Sequence, residues 1–469
     1  MKPAFFLLAI LIVFPFLSSW SNPDSVRIEI VAPQLSGQKI FLCSYFNGLT
    51  YKQDSICLSS QGEGVFHQDK IFPEGQYLIL LKNNLYIDFL LSEDQQFTIR
   101  TDTTDLLYKT QIEGAEQTEA LLSYSQFING EQKKRQKIIH DFRSLPEDKR
   151  DLAAAEADLA VLNEEVEKFQ ADFHARFKGK WVSLFLRSVE PVTTGPFPFP
   201  KTQAEYDVEF NYQKYHFFDN IDLQDRRFWW TNHFPGKVIT YMEKQVEQIP
   251  DTLANAASGL LARTFGDSIC FQLMLNKLVT YSSTSNIMGM ENVWMKLVED
   301  YYHKGLVTWG DSTHFADITF EYNKRRFNRI GMTAHDIGLQ SVDGKHCKLY
   351  DLGKKYTLLY FYEPTCGHCI KTTPELYEKI YLKYAEKGLD IAAVYLYTDK
   401  KEWLDYIEKN RLKGSHWHNL WDPEHQSAFY LYYDTTSTPG IYLLDENKTI
   451  IAKKVDIATL DTVLGRLLP

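Results

Sequence analysis

Cysteine is scarce in this chain: there are six in 469 residues, too few to build a disulfide scaffold. Basic runs are missing as well. The formal net charge is -10, and no block of Lys and Arg suited to tracking phosphates stands out. This argues against non-specific binding to nucleic acid or to an anionic membrane surface. Past the N-terminus no stretch approaches the ~20 apolar residues that a membrane-spanning helix needs. No repeat at a solenoid period is present, and no cysteine follows the N-terminal apolar run to accept a lipid anchor.

What is present is ordinary globular material: 44% hydrophobic and 24% charged residues. At roughly 150 residues per domain the length suggests about three domains. Lys2, an apolar run from Ala4 to Leu17, and the small residues Ser18, Ser19 and Ser21 form a secretory-signal pattern over residues 1–21. Cleavage is expected near Asn22. The alternative is an uncleaved anchor, in which case this segment would be the sole membrane contact. Either way the expected location is the periplasm or cell envelope.

Residues 24–115 alternate short β-forming runs with turn residues, as in Val26–Ile30, Lys39–Leu42, Tyr77–Leu81 and Tyr86–Leu91. An antiparallel β-sandwich is expected there. Residues 116–329 read as a mainly helical domain. Leu152, Leu159, Leu162, Val166, Phe169, Phe173 and Phe177 form one apolar stripe, with Ser144 ahead of Pro146 and Glu147 as its start signal. Prolines at 191, 196, 198 and 200 mark a connector. The aromatic-dense stretch beyond it suits packing between helices better than a peptide groove. From 330 to 469 buried strands at Thr357–Tyr362 and Asp390–Tyr397 alternate with helices, which indicates an α/β sheet covered on both faces.

The strongest chemical signal is Cys366-Gly367-His368-Cys369, placed where a buried strand passes into a helix. A thiol attacks a disulfide as its thiolate. Unpaired N–H groups at a helix N-terminus favour that anion, and His368 adds a polar, potentially cationic neighbour. Two intervening residues let the second sulfur reach the first. Half of a zinc site and a purely structural disulfide are the competing uses. Zinc would need further ligands, and the spacing of His416, His418 and His425 completes no site. No metal or organic cofactor is expected. Cys43 and Cys57 could bridge within the sandwich or remain free thiols, whereas Cys347 is not expected to be catalytic.

The segment 330–469 resembles the TlpA-type periplasmic thioredoxin-like proteins. Gly353 to Cys369 is similar to their central strand and active-site turn, Thr438-Pro439 to their cis-proline loop, and Asp445 to Ile450 to the turn between their last strands. The resemblance implies an attacking Cys366, a resolving Cys369 and a cis Pro439 that helps to hold an extended substrate. Two positions depart from the pattern. Thr365 replaces a frequent Trp before the first cysteine, and Tyr360 stands where thioredoxin has a buried Asp. Glu363 is then the nearest group to handle the proton of Cys369, or else a solvated turn residue. The Gly-His dipeptide is closer to protein disulfide isomerase. The upstream regions are similar to β-rich and helical domains of unknown function in exported Bacteroidetes proteins. Together these features imply an extracytoplasmic thiol–disulfide oxidoreductase with protein thiol or disulfide substrates and a membrane or periplasmic redox partner. The alternative is an exported binding or scaffold protein whose thioredoxin module does not turn over.

Overall fold

The computed structural model describes residues 25–146, 150–192, 195–196, 201–285, 287, 289–353 and 355–469. The signal sequence expected at 1–21, Glu147, Pro198 and Pro200 lie outside them. The described residues form two compact units, one from 25–195 with 215–237 and the other from 196–214 with 238–469.

The first unit begins with eight strands: β1 (Val26–Val31), β2 (Lys39–Phe46), β3 (Leu49–Cys57), β4 (Glu63–Gln68), β5 (Gly75–Leu80), β6 (Tyr86–Leu91), β7 (Gln96–Arg100) and β8 (Gln111–Glu113). They make two four-stranded sheets, ordered β4-β1-β7-β8 and β3-β2-β5-β6. Val26, Ile28 and Ile30 point inward while Arg27 is exposed, the period-2 pattern of a half-buried strand. The inward residues of both sheets share one core that includes Phe66, Tyr77, Phe89 and Phe97. The sandwich is not purely antiparallel, because β1 runs parallel to β7 with Ile28 opposite Phe97. A parallel pair needs a long crossover, and β2–β6 supply it, so no local turn signal announced this pairing.

Three helices follow: α1 (Glu116–Ser144), α2 (Leu152–Arg176) and α3 (Trp181–Val189). Asp151, not Ser144, starts α2: its carboxylate accepts from the Ala154 N–H, and Ser144 is the last residue of α1. A carboxylate satisfies the orphan N–H groups of a first turn. Of the apolar stripe, Leu162, Phe173 and Phe177 are buried, but Leu152 is exposed. The start of α1 is pinned to β6, since the Thr118 hydroxyl donates to the Leu90 carbonyl at 2.6 Å. Residues 116–192 fall in the same compact unit as the strands. Further in, His174 bridges Ser183 and Glu190 at 2.9 Å each, and Tyr124 donates to the same Glu190 oxygen at 2.8 Å. The network ties α1, α2 and α3 together. The aromatic-dense stretch is mixed: Phe218, Phe228 and Trp229 are buried, but Tyr206 and Tyr215 are exposed. Gly75 is required by the close passage of Trp230, whose Cβ would lie 2.4 Å from an added Cβ.

After α4 (Gln203–His216) and α5 (Phe234–Thr240) come α6 (Pro250–Ala262), α7 (Ser268–Thr284), α8 (Met290–Leu297) and α9 (Ser312–Arg325). The second unit then forms strands β9 (Gly338–Ser341), β10 (His346–Lys348) and β11 (Tyr356–Tyr362), helices α10 (Gly367–Glu375) and α11 (Leu382–Tyr384), and strand β12 (Leu389–Tyr395). Next come α12 (Lys400–Lys409), β13 (Trp417–Trp421), α13 (Phe429–Tyr432), β14 (Gly440–Leu444), β15 (Ile450–Lys453) and α14 (Ile457–Leu467). The sheet order is β10-β9-β13-β12-β11-β14-β15. β11, β12 and β13 are parallel, and β14 is antiparallel to β11. Every residue of β12 is buried, as a strand covered on both faces requires. Two apolar clusters pack on the two faces, one around Tyr360, Leu376 and Leu460 and the other around Phe361, Phe429 and Tyr433. Within this unit Lys453, almost fully buried, pairs with Glu291 of α8 at 2.6 Å and donates to Asn328 Oδ1 at 2.8 Å.

Candidate active site

β11 is buried along nearly its whole length, so it delivers the chain to the rim of the sheet at a definite point. Glu363 to Thr365 turn there, and α10 begins with Cys366 as its N-cap. The Sγ of Cys366 accepts from the Cys369 N–H at 3.4 Å. The cysteine thus occupies the position usually filled by a Ser or Asp oxygen. Cys366 is partly exposed, and Cys369 is fully buried beneath it in the core. Both are free thiols.

The loop before β14 closes over this point. The Thr438–Pro439 peptide is cis, and the Cys366 thiol lies 3.4 Å from the Thr438 carbonyl oxygen. The Thr438 hydroxyl donates to Glu363 Oε1 at 2.7 Å. Cys366, Glu363 and Thr438 therefore form one cluster, although Thr438 is 72 residues from Cys366.

The electrostatics of the two thiols differ. Desolvation opposes ionisation of Cys366, but Thr438 and the N–H groups of Cys369 and His368 outweigh it and hold this thiol below its ordinary value. Cys369 is pushed the other way, to about 11, chiefly by burial and further by its partner Cys366. His368 acts through its backbone; its side chain is exposed.

Tyr360 stands at the position where this chain lacks thioredoxin's buried acid. It is fully buried, and its hydroxyl lies 2.7 Å from Thr373 Oγ1. Tyr406 lies 2.9 Å from that same oxygen and 3.3 Å from the Cys369 carbonyl. Sequence reasoning missed Thr373 and Tyr406. The signal for Thr373 was its place one helical turn after Cys369; Tyr406 carried none, since its approach depends on how α12 packs.

The remaining candidates lie elsewhere. His416 and His418 both pair with Asp390 Oδ1, at 3.0 and 2.9 Å, where they offset the cost of burying that carboxylate. Among the described residues no group of three or more His, Cys, Asp or Glu is placed to hold a metal. Cys43 and Cys57 do not face each other across β2 and β3: Cys43 sits opposite Lys52, and Cys57 opposite Lys39. One is buried and the other exposed, so the bridge considered above does not form. In Cys347 burial, with help from Asp351 and Asp336, raises the thiol pKa, the opposite of what a reactive cysteine needs. No described helix is long and apolar enough to cross a membrane.

Residues 330–453 match the model of the AhpC/TSA family. A domain of a possible thiol-disulfide isomerase from Cytophaga hutchinsonii is 36% identical over 29% of this chain and 92% of its own, with a TM-score of 0.28. The thioredoxin domain of a thiol-disulfide oxidoreductase from Bacteroides vulgatus is 25% identical over 30% of this chain and 98% of its own, with a TM-score of 0.28. A thioredoxin-like protein from Bacteroides caccae is 21% identical over 59% of this chain and 99% of its own, with a TM-score of 0.45. No curated protein matches the chain.

Proposed function

Because the chain belongs, through its C-terminal domain, to the AhpC/TSA, thioredoxin-like family of thiol–disulfide oxidoreductases, we propose that Cys366 and Cys369 are its redox pair and that exported proteins are its clients. The single observation that carries this reading is the helix-capping position of Cys366, which keeps one sulfur accessible and receives an N–H bond while the second waits underneath. The thiolate of Cys366 attacks a client disulfide. One client sulfur leaves as a thiolate, and the other joins Cys366 in a mixed disulfide. Cys369 then loses its proton and attacks the Cys366 sulfur. This releases the client as a dithiol and leaves Cys366 and Cys369 joined, two electrons having passed to the client. The reverse sequence oxidises a client. Regeneration requires a separate dithiol or disulfide partner in the envelope.

Glu363 is the group best placed to receive the proton of Cys369, since it stands between the end of β11 and Thr438. Thr438 and Pro439 face the mixed disulfide and bind the client backbone. Gly367 and His368 set the spacing of the two sulfurs, and the N–H groups of His368 and Cys369 stabilise the first.

The test is the reduction of a protein disulfide by the full chain and by Cys366→Ser. The variant is expected to lose turnover. Parental turnover in it would sink the reading and leave the binding-module alternative. Rapid peroxide consumption at Cys366 without a dithiol substrate would point instead to a peroxidase.

A further inference from the structure

Away from the cysteine pair, the first unit contains a cavity of about 580 Å³ between the outer face of β6 and helices α1 and α3. That volume falls within the range of small-molecule sites, which are mostly apolar with a few convergent polar groups. Leu106, Leu122, Ile128, Phe185 and Val189 supply the apolar wall. Asp88 supplies the one carboxylate among the lining residues.

Alternation along β6 puts Asp88 there. Ile87, Phe89 and Leu91 point into the sandwich core, so Asp88 must face the other side. Its partner is the Tyr45 hydroxyl, at 3.1 Å. Among the described residues it forms no ion pair with Lys, Arg or His. Of the cavity's polar lining, Gln76 Oε1 accepts from the Asn232 N–H, Asn129 Oδ1 accepts from Tyr108, and Tyr124 donates to Glu190. The other titratable side chains turned toward this carboxylate or lining the cavity are the phenols of Tyr45, Tyr86 and Tyr124. No cationic side chain lines the cavity. A half-buried acid with no cation beside it, on an otherwise apolar wall, is complementary to a cation on an apolar body.

We propose that this cavity binds a small amphipathic amine, with its ammonium group on Asp88 and its apolar body against Leu122, Ile128 and Phe185. The site is independent of the cysteine pair, and its failure would leave the redox reading untouched. Burial pushes the Asp88 carboxyl up to about 6. An alkylammonium stays charged across this range. Affinity should therefore rise as Asp88 ionises, by about tenfold from pH 5 to pH 7.5.

The probe is hexylamine, titrated calorimetrically into the full chain, with hexan-1-ol and hexanoate as controls of similar length. Hexylamine should bind in preference to both, more tightly at pH 7.5 than at pH 5. Asp88→Asn should weaken it roughly tenfold and abolish the pH dependence. Val189→Trp, at the half-exposed end of α3, should block entry and weaken binding without touching the charge. The wild-type pH comparison stands even if neither variant folds. Equal binding of hexylamine and hexan-1-ol, no binding of hexylamine, or unchanged affinity in folded Asp88→Asn would each overturn the proposal.

Discussion

The thiol of Cys366 and the carbonyl oxygen of Thr438 lie 3.4 Å apart across a gap of 72 residues. One belongs to the first turn of α10 and the other to the loop that enters β14. The sheet enforces the meeting, because β11 and β14 are hydrogen-bonded neighbours with Phe361 opposite Gly440. A residue at the end of one strand must therefore face one at the start of the other.

The two thiols should differ in reactivity. Cys366 sits below its ordinary value, whereas Cys369 is raised to about 11. Iodoacetamide at pH 7 should label Cys366 in the native reduced protein and spare Cys369 until the chain is unfolded. Peptide mass spectrometry reads both. Equal labelling of the two would contradict the assignment.

Cys369→Ser should accumulate the mixed disulfide with a client, seen as a mass adduct on Cys366. Glu363→Gln retains an amide oxygen for Thr438 but cannot take a proton. It should slow resolution roughly tenfold or more at pH 7, with the loss shrinking as the pH rises. Stopped-flow decay of the mixed disulfide across pH separates this from a merely structural role, which would shift the rate equally at every pH.

Asp434 should stabilise the second unit near neutrality. Desolvation opposes its charge, but Lys454 at 2.7 Å, Thr436 and Lys324 overcome this and lower the carboxyl from 3.8 to about 2. A lowered folded pKa adds stability that is present above the unfolded value and lost as the pH falls through the folded one. Asp434→Asn should cost roughly 2 kcal/mol at pH 7. Denaturant midpoints of the two proteins should converge between pH 4 and pH 2.

Asp88 has the opposite sign. Burial raises its carboxyl from 3.8 to about 6. Its protonated form is favoured by the fold, so stability is lost as the pH climbs through this window. Without a bound amine, Asp88→Asn should be more stable than the parent at pH 7.5 by about 1–2 kcal/mol, allowing for its partial exposure. The gain should vanish below pH 4. Urea melts of the full chain at both pH values check this.

Much of the redox site was legible because its signals are local. Cys366, Cys369, Gly367 and His368 are adjacent in the chain, and a buried strand ahead of them fixes the turn. The cap at Asp151 was misplaced to Ser144 because both residue types cap helices; only the path of the chain chooses between them. Of the two readings left open for Cys43 and Cys57, the bridge fails on register and the free thiols stand. A bridge between neighbouring strands needs the two cysteines close to opposite each other, and Lys52 and Lys39 hold those positions instead.

By itself, the sequence determined what depends on neighbours along the chain: the alternation of β1, the continuous apolar runs of β11 and β12, and the thiol pair at a helix start. These follow from side-chain period and cap chemistry, which need no distant partner. Tertiary structure alone decided the parallel pairing of β1 with β7, the approach of Tyr406 to Thr373 and to the carbonyl of Cys369, and the enclosure of Asp88. Each brings together groups far apart in sequence. Their meeting is set by strand order and helix packing, properties of the whole fold that no local run of residues encodes.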